Sequence, residues 1–208
     1  MIPDQYNTID KPSVAEFKDR GSRFIALAFP LSTIPDLKVK LAEVKSAYPK
    51  ATHYCFAYRL GYDGAQFRVS DDGEPSGSAG RPILGQIDQR KLINVLVVVV
   101  RYFGGTLLGV PGLINAYRSA TSLALQVTPL VQKQVMVPFG LEFDYTRLND
   151  VMQALRQYDC IITEKDMNLF CSLKLLVPKK NTEEALAKMG MMPGVTVQKI
   201  VPDADLAP

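Results

Sequence analysis

A chain of 208 residues, 47% hydrophobic and 22% charged, has the make-up of a folded globular protein rather than a disordered one. It is long enough for one large domain or two small ones. Its 24 basic residues against 21 acidic ones leave a net charge of +3, too weak for a general polyanion binder.

The apolar run Val95 to Val100 has six residues, whereas a membrane-crossing helix needs about 20, so no transmembrane segment is expected. Met1-Ile2-Pro3-Asp4 has neither a basic start nor an apolar stretch, which predicts no signal peptide. Cys55, Cys160 and Cys171 are an odd number with no C-x-x-C pair, a pattern that points to a reducing, cytoplasmic setting. Residues 1–130 carry 15 basic and 11 acidic residues, net +4; residues 131–208 carry 9 and 10, net −1. The modest positive bias of the first part permits a nucleic-acid contact without requiring one.

In chain order, strands are expected near 12–19 and 22–29, with the turn at Arg20-Gly21. Thr33 is a natural N-cap, with Pro35 and Asp36 in the first turn of a helix that buries Leu37, Leu41, Val44 and Tyr48. Strands near 52–60 and 65–70 flank the hairpin signal Asp63-Gly64. A helix is expected from 83, and Val95–Val100, apolar at every position, reads as a central strand. A long helix over about 112–126 closes this part, and Thr128-Pro129 reads as a linker. Val135, Val137, Phe139, Leu141 and Phe143 then alternate as a half-buried strand. A helix over 146–158, strands near 160–166 and 169–177, a helix over 181–190 and a last strand at Val195, Val197 and Val201 follow. Residues 131–208 thus have the β-α-β-β-α-β order of a split βαβ, ferredoxin-like unit.

Two loops carry the candidate chemistry. In the first, 70–82, Asp71, Asp72 and Glu74 offer oxygen ligands for a hard cation or a basic partner. Gly73, Pro75 and Ser76 shape the turn, and the backbone from Gly77 to Gly80, with Arg81, is placed to receive an anion. The alternative is a long turn whose carboxylates cap nearby N–H groups. In the second loop, Arg101 presents a planar fork suited to phosphate or carboxylate, or pairs with Asp71 or Asp72. Tyr102 and Phe103 either stack on bases or join the core. Gly104-Gly105 allows a ligand or another backbone to approach closely.

No P-loop, G-x-G-x-x-G or G-x-S-x-G motif occurs. His53 is the only histidine and reads as a structural residue. With Cys55 it shares one strand face but cannot complete a zinc site alone. No catalytic residue, metal or cofactor is assigned.

The run Ser70-Asp71-Asp72-Gly73-Glu74-Pro75-Ser76-Gly77-Ser78-Ala79-Gly80-Arg81-Pro82-Ile83-Leu84, with Val97–Gly105 and Leu108-Gly109, closely resembles the YigZ/IMPACT family. Ser22-Arg23-Phe24-Ile25 and Thr52-His53-Tyr54-Cys55 resemble further family stretches. Tyr54 stands where a second histidine is common, and Val110-Pro111 replaces the usual Thr-Gly. The resemblance implies an α+β chain of two domains. Residues 1–130 would be a two-layer α/β domain similar to the second domain of small-subunit ribosomal protein five. Residues 131–208 would be similar to a ferredoxin-like domain of elongation factor G. Eukaryotic members are translational regulators that interfere with activation of the general-control kinase. The function expected is a non-enzymatic cytoplasmic binding protein that contacts RNA or a ribosome-associated protein. A metal-assisted hydrolase or phosphoryl-transfer enzyme using Asp71, Asp72, Glu74 and His53 is the first alternative, and a protein–protein adaptor the second.

Overall fold

The computed structural model describes residues 3–200. Two compact units divide them: residues 6–133, and residues 134–200 with 3–5. Val201, expected in the last strand, lies outside the described residues.

The first unit is built on a five-stranded antiparallel sheet. Its strands are β2 (Ser13–Asp19), β3 (Ser22–Pro30), β4 (His53–Leu60), β5 (Gln66–Ser70) and β6 (Val95–Tyr102), in the order β2-β3-β6-β4-β5. β6 is central, as its apolar run demands, and Val95 to Val100 are fully buried. Helices cover both faces of the sheet, so the expected two layers become three. The physical reason is β6 itself: Val95, Val97 and Val99 face one core and Leu96, Val98 and Val100 the other, and each row must be shielded from water.

One face carries α1 (Ile34–Ala47), whose start is a full capping box between Thr33 and Asp36. Leu37 and Val44 anchor it over Ile25, Phe56 and Leu96. The other face carries α2 (Gly80–Gln89) and α3 (Gly109–Val127). Both helices begin three residues earlier than the sequence predicts. The inward stripe Ala116, Ala120 and Ala124 on α3 is small enough to let that helix lie close to the sheet.

Two strands escaped the sequence reading. β1 (Gln5–Ile9) pairs with β7 (Leu130–Gln134) in a two-stranded sheet. Thr128, anticipated in a linker, is instead buried, and its hydroxyl donates to the Lys11 carbonyl at 3.1 Å.

The second unit comprises β8 (Met136–Asp144), α4 (Leu148–Gln157), β9 (Ile161–Met167), β10 (Phe170–Pro178), α5 (Thr182–Gly190) and β11 (Val195–Lys199). Its sheet order is β11-β8-β10-β9, antiparallel throughout, the split βαβ topology. Phe139, Leu141, Phe143, Cys171, Leu173, Leu175 and Val177 alternate inward against Val151, Leu155, Ala185 and Met189.

Candidate functional site

The first loop, residues 71–79, is held by its own acidic residues. Asp71 Oδ1 accepts the N–H groups of Ala79 (3.0 Å) and Gly80 (2.8 Å), and Oδ2 accepts that of Gly77 (2.8 Å). α2 has no neighbouring side-chain cap, so Asp71 caps it from nine residues upstream. The backbone expected to receive an external anion already holds an internal one. Partial burial works against the Asp71 charge. The three N–H donors and nearby Arg81 outweigh it and hold the carboxyl below its ordinary range. Asp72 is likewise engaged: Oδ2 accepts the Tyr54 N–H at 2.7 Å, and its carbonyl meets His53 Nδ1 at 2.7 Å. Gly73 turns at φ +87°, where a Cβ would lie 3.5 Å from the His53 ring.

Glu74 points inward from this loop. It does so because three strands bring a receptive set together: Phe24 on β3, Arg101 on β6 and His53 on β4 are direct neighbours in register. Arg101 Nη1 donates to Glu74 Oε1 at 2.6 Å, with the two side chains only 6% and 3% exposed. Arg101 was expected to reach Asp71 or Asp72; the backbone N–H groups that occupy those carboxylates leave Glu74 as its partner. Tyr117 of α3 donates its hydroxyl to the same oxygen at 2.7 Å. Its ring meets Phe24 edge-on at 5.1 Å, and the guanidinium lies 5.4 Å from the Phe24 centroid.

Cys55 completes the floor, its sulfur 3.0 Å from the Asp71 carbonyl oxygen and 3.3 Å from the Tyr117 hydroxyl. Burial pushes the Cys55 thiol well above its ordinary range, against a smaller opposing effect of its hydrogen bond with Tyr117. Burial also holds the Tyr117 hydroxyl protonated, with Cys55 and Glu74 adding to the effect. Neither group is a ready nucleophile.

Above this floor lies a cleft of about 380 Å³, within the usual size range of small-ligand sites. His53, Glu74 and Arg101 form its polar end, and Pro75, Phe103, Leu107, Leu108, Val110 and Leu113 wall it. The His53 Nδ1 contact to the Asp72 carbonyl leaves Nε2 on the Glu74 side, 3.9 Å from Oε1. Read from sequence as structural, His53 is therefore a member of the site. Tyr117 and Leu107 were also absent from the expected set, while Phe103, weighed for base stacking or the core, lines the cleft half exposed.

Of the residues singled out in sequence, Glu74, Pro75 and Arg101 meet at this cleft. Ser76 is exposed on the loop. Gly80 packs against β5, where a Cβ would lie 2.8 Å from the Ser70 nitrogen. Arg81 lines a separate groove with Arg118 and Gly85. Tyr102 falls on the opposite sheet face, by the strand alternation, and donates to the Pro49 carbonyl at 3.1 Å. Gly104 serves a close backbone approach rather than a ligand: a Cβ there would lie 1.9 Å from the Gly21 carbonyl carbon. Gly105, at φ +86°, faces open space. Among the described residues, no group of three or more His, Cys, Asp or Glu side chains converges as a metal site. No helix among them is long and apolar enough to cross a membrane.

The cleft sits on an α/β scaffold, with a buried ion pair as its floor and apolar side chains as its walls. Residues 20–125 match the family model of the Impact N-terminal domain. The chain is 34% identical over 172 residues to the IMPACT family member YigZ of Escherichia coli (strain K12), covering 82% of this chain and 84% of that one. It is 33% identical over 177 residues to the family member YvyE of Bacillus subtilis (strain 168), covering 85% and 82%. The crystal structure of a hypothetical protein superposes with a TM-score of 0.75 at 28% identity, over 97% of this chain and 100% of that one. The chain belongs to the IMPACT family.

Proposed function

We propose that this chain is a non-enzymatic cytoplasmic binding protein in translation or its regulation, contacting RNA or a ribosome-associated protein. One observation carries the binding role. The acidic residues of the first signature loop are engaged within the protein, with Asp71 on N–H groups, Asp72 on the Tyr54 N–H and Glu74 on Arg101 and Tyr117. What they leave to an outside molecule is a shaped concave surface. The translational setting rests on the family, whose eukaryotic members were expected above to regulate translation. It rests also on the proposed likeness of the two units to domains of ribosomal protein five and elongation factor G, which is an analogy of fold. Asp71, Asp72, Gly73, Glu74, Pro75, Ser76, Gly80 and Arg81, with Arg101, Gly104 and Gly105, build or border the contact surface in this account.

The test is capture of partners from native cytoplasm on the full chain, with and without ribonuclease, at two salt concentrations. Ribosomal or RNA partners lost on ribonuclease treatment, with a steep fall in capture as salt rises, support a phosphate-contacting role. Partners indifferent to both treatments would replace it with the protein–protein adaptor.

A further inference from the structure

Starting from the binding role just stated, we propose that the cleft beneath Phe103 and Leu107 is a receptor for a single carboxylate attached to an apolar group. The polar end supplies the first argument. Arg101 has five N–H donors, and among the described residues its side chain makes one hydrogen bond, from Nη1 to Glu74. Its Nε is buried with no acceptor among the described residues, although burying a donor without a partner is costly. Nε and Nη2 together form the edge of the guanidinium that grips a carboxylate through two parallel bonds. Phe103, 48% exposed, lies with its ring 5.5 Å from that guanidinium.

The second argument comes from α3. Its N-cap residue, Leu108, gives no side-chain hydrogen bond, and Gly109 and Val110 of its first turn line the same cleft. The N-terminal end of a 19-residue helix, which carries partial positive charge, thus borders the cleft that Arg101 also lines.

Charge and shape then select the ligand. Glu74 already balances Arg101, so the site favours one negative charge over the two of a phosphate monoester. Pro75, Leu107, Leu108, Val110 and Leu113 are aliphatic walls suited to an alkyl or aryl side chain, and Leu107 is 82% exposed at the rim. The exposed apolar surfaces of Phe103, Leu107 and Val110 gathered at the cleft that Arg101 lines suit a ligand with one anionic and one apolar end. Such a ligand is either a free apolar acid or the C-terminal carboxylate of a polypeptide ending in an apolar residue.

Titration calorimetry on the full chain, with amide chemical shifts of Gly105, Gly109 and Val110 as the local readout, separates the possibilities. The probes are 3-phenylpropanoate, N-acetyl-leucyl-leucine, the primary amide of each, and inorganic phosphate. At least one acid is expected to bind tenfold or more tightly than its amide. Tighter binding of the dipeptide assigns the site to a polypeptide C-terminus, and equal or tighter binding of phenylpropanoate assigns it to a free acid. Leu107→Asp and Val110→Asp put a repelling charge on the wall and leave the floor intact. Each is expected to weaken the acid tenfold or more at an unchanged unfolding temperature. Equal affinity for acid and amide, displacement by phosphate, or no saturation by about 1 mM ligand would overturn the assignment. In those cases ribonuclease-sensitive capture would still stand or fall on its own.

Discussion

Replacing Glu74 by Gln removes one charge and almost no volume from the floor of the cleft. The amide oxygen of Gln still accepts from Arg101 and Tyr117, so what is lost is the compensation of a guanidinium whose side chain is 6% exposed. Leaving a buried charge without its counter-charge costs about 3–5 kcal/mol. The retained hydrogen bonds place Glu74→Gln near the lower end, about 3 kcal/mol. Tyr117→Phe supplies the scale, since it deletes one hydrogen bond to the same oxygen and is expected to cost about 1 kcal/mol. For a chain of this length each kcal/mol lowers the unfolding temperature by about 2–4 °C, so the drop for Glu74→Gln is about 6–12 °C. The chain has no tryptophan. Hydrogen exchange at Val97–Val100, the buried centre of β6, is the readout that reports on the first unit alone. A Glu74→Gln loss below about 1 kcal/mol, the value of an exposed pair, would show that water reaches the pair and would refute the account of the floor.

Asp71 is held below its ordinary carboxyl range, so its stabilisation is complete above the unfolded value of about 3.9 and is lost as pH falls through the lower folded value. Asp71→Asn is expected to cost about 1–3 kcal/mol at pH 7 and to flatten acid unfolding below pH 4, read by circular dichroism; an unchanged acid limb contradicts the remote cap. Gly104→Ala drives a Cβ into the Gly21–Ser22 backbone and is expected to cost about 3 kcal/mol, whereas Gly105→Ala meets open space and costs about 1–2 kcal/mol through its positive φ. Equal losses in urea titration of the two variants would contradict the close approach. Burial keeps the Cys55 thiol protonated and pushes Cys160, with help from the Asp159 charge, up to about 11. Both should react slowly with a disulfide reagent at pH 8 and quickly once the chain is unfolded; rapid native labelling of Cys55 is the outcome that fails.

The two loops were legible because glycine, proline and acidic residues crowd them, and the central strand because six apolar positions in a row allow nothing else. The pairing inside the site was not legible. Arg101 finds Glu74 only because β3, β6 and β4 bring Phe24, Arg101 and His53 abreast, and register between distant strands leaves no mark in any one of them. Helix starts at Gly80 and Gly109 were missed for a related reason. Local capping rules look for Ser, Thr, Asp or Asn beside the first turn, but α2 takes its cap from Asp71 and α3 has no side-chain cap at all. β1 and β7 escaped because each has few buried positions and finds its partner more than a hundred residues away.

The same geometry determines how changes in the signature loops should be sorted. Glu74, Arg101, Tyr117 and Phe24 close a ring of hydrogen bonds and ring contacts, with Arg101 and Tyr117 both held on Glu74 Oε1. Leu107 and Val110 wall the cleft with large exposed surfaces and make no contact that closes the ring, whereas Phe103 packs its ring 5.5 Å from the Arg101 guanidinium. On the proposed binding role, a substitution in the floor is expected to move stability first and binding as a consequence, while one at Leu107 or Val110 is expected to move binding at unchanged stability. A sequence motif merges the two, because Arg101 and Phe103 are neighbours in the chain. The strand separates them, placing one side chain in the core of the ring and the other at the mouth of the cleft.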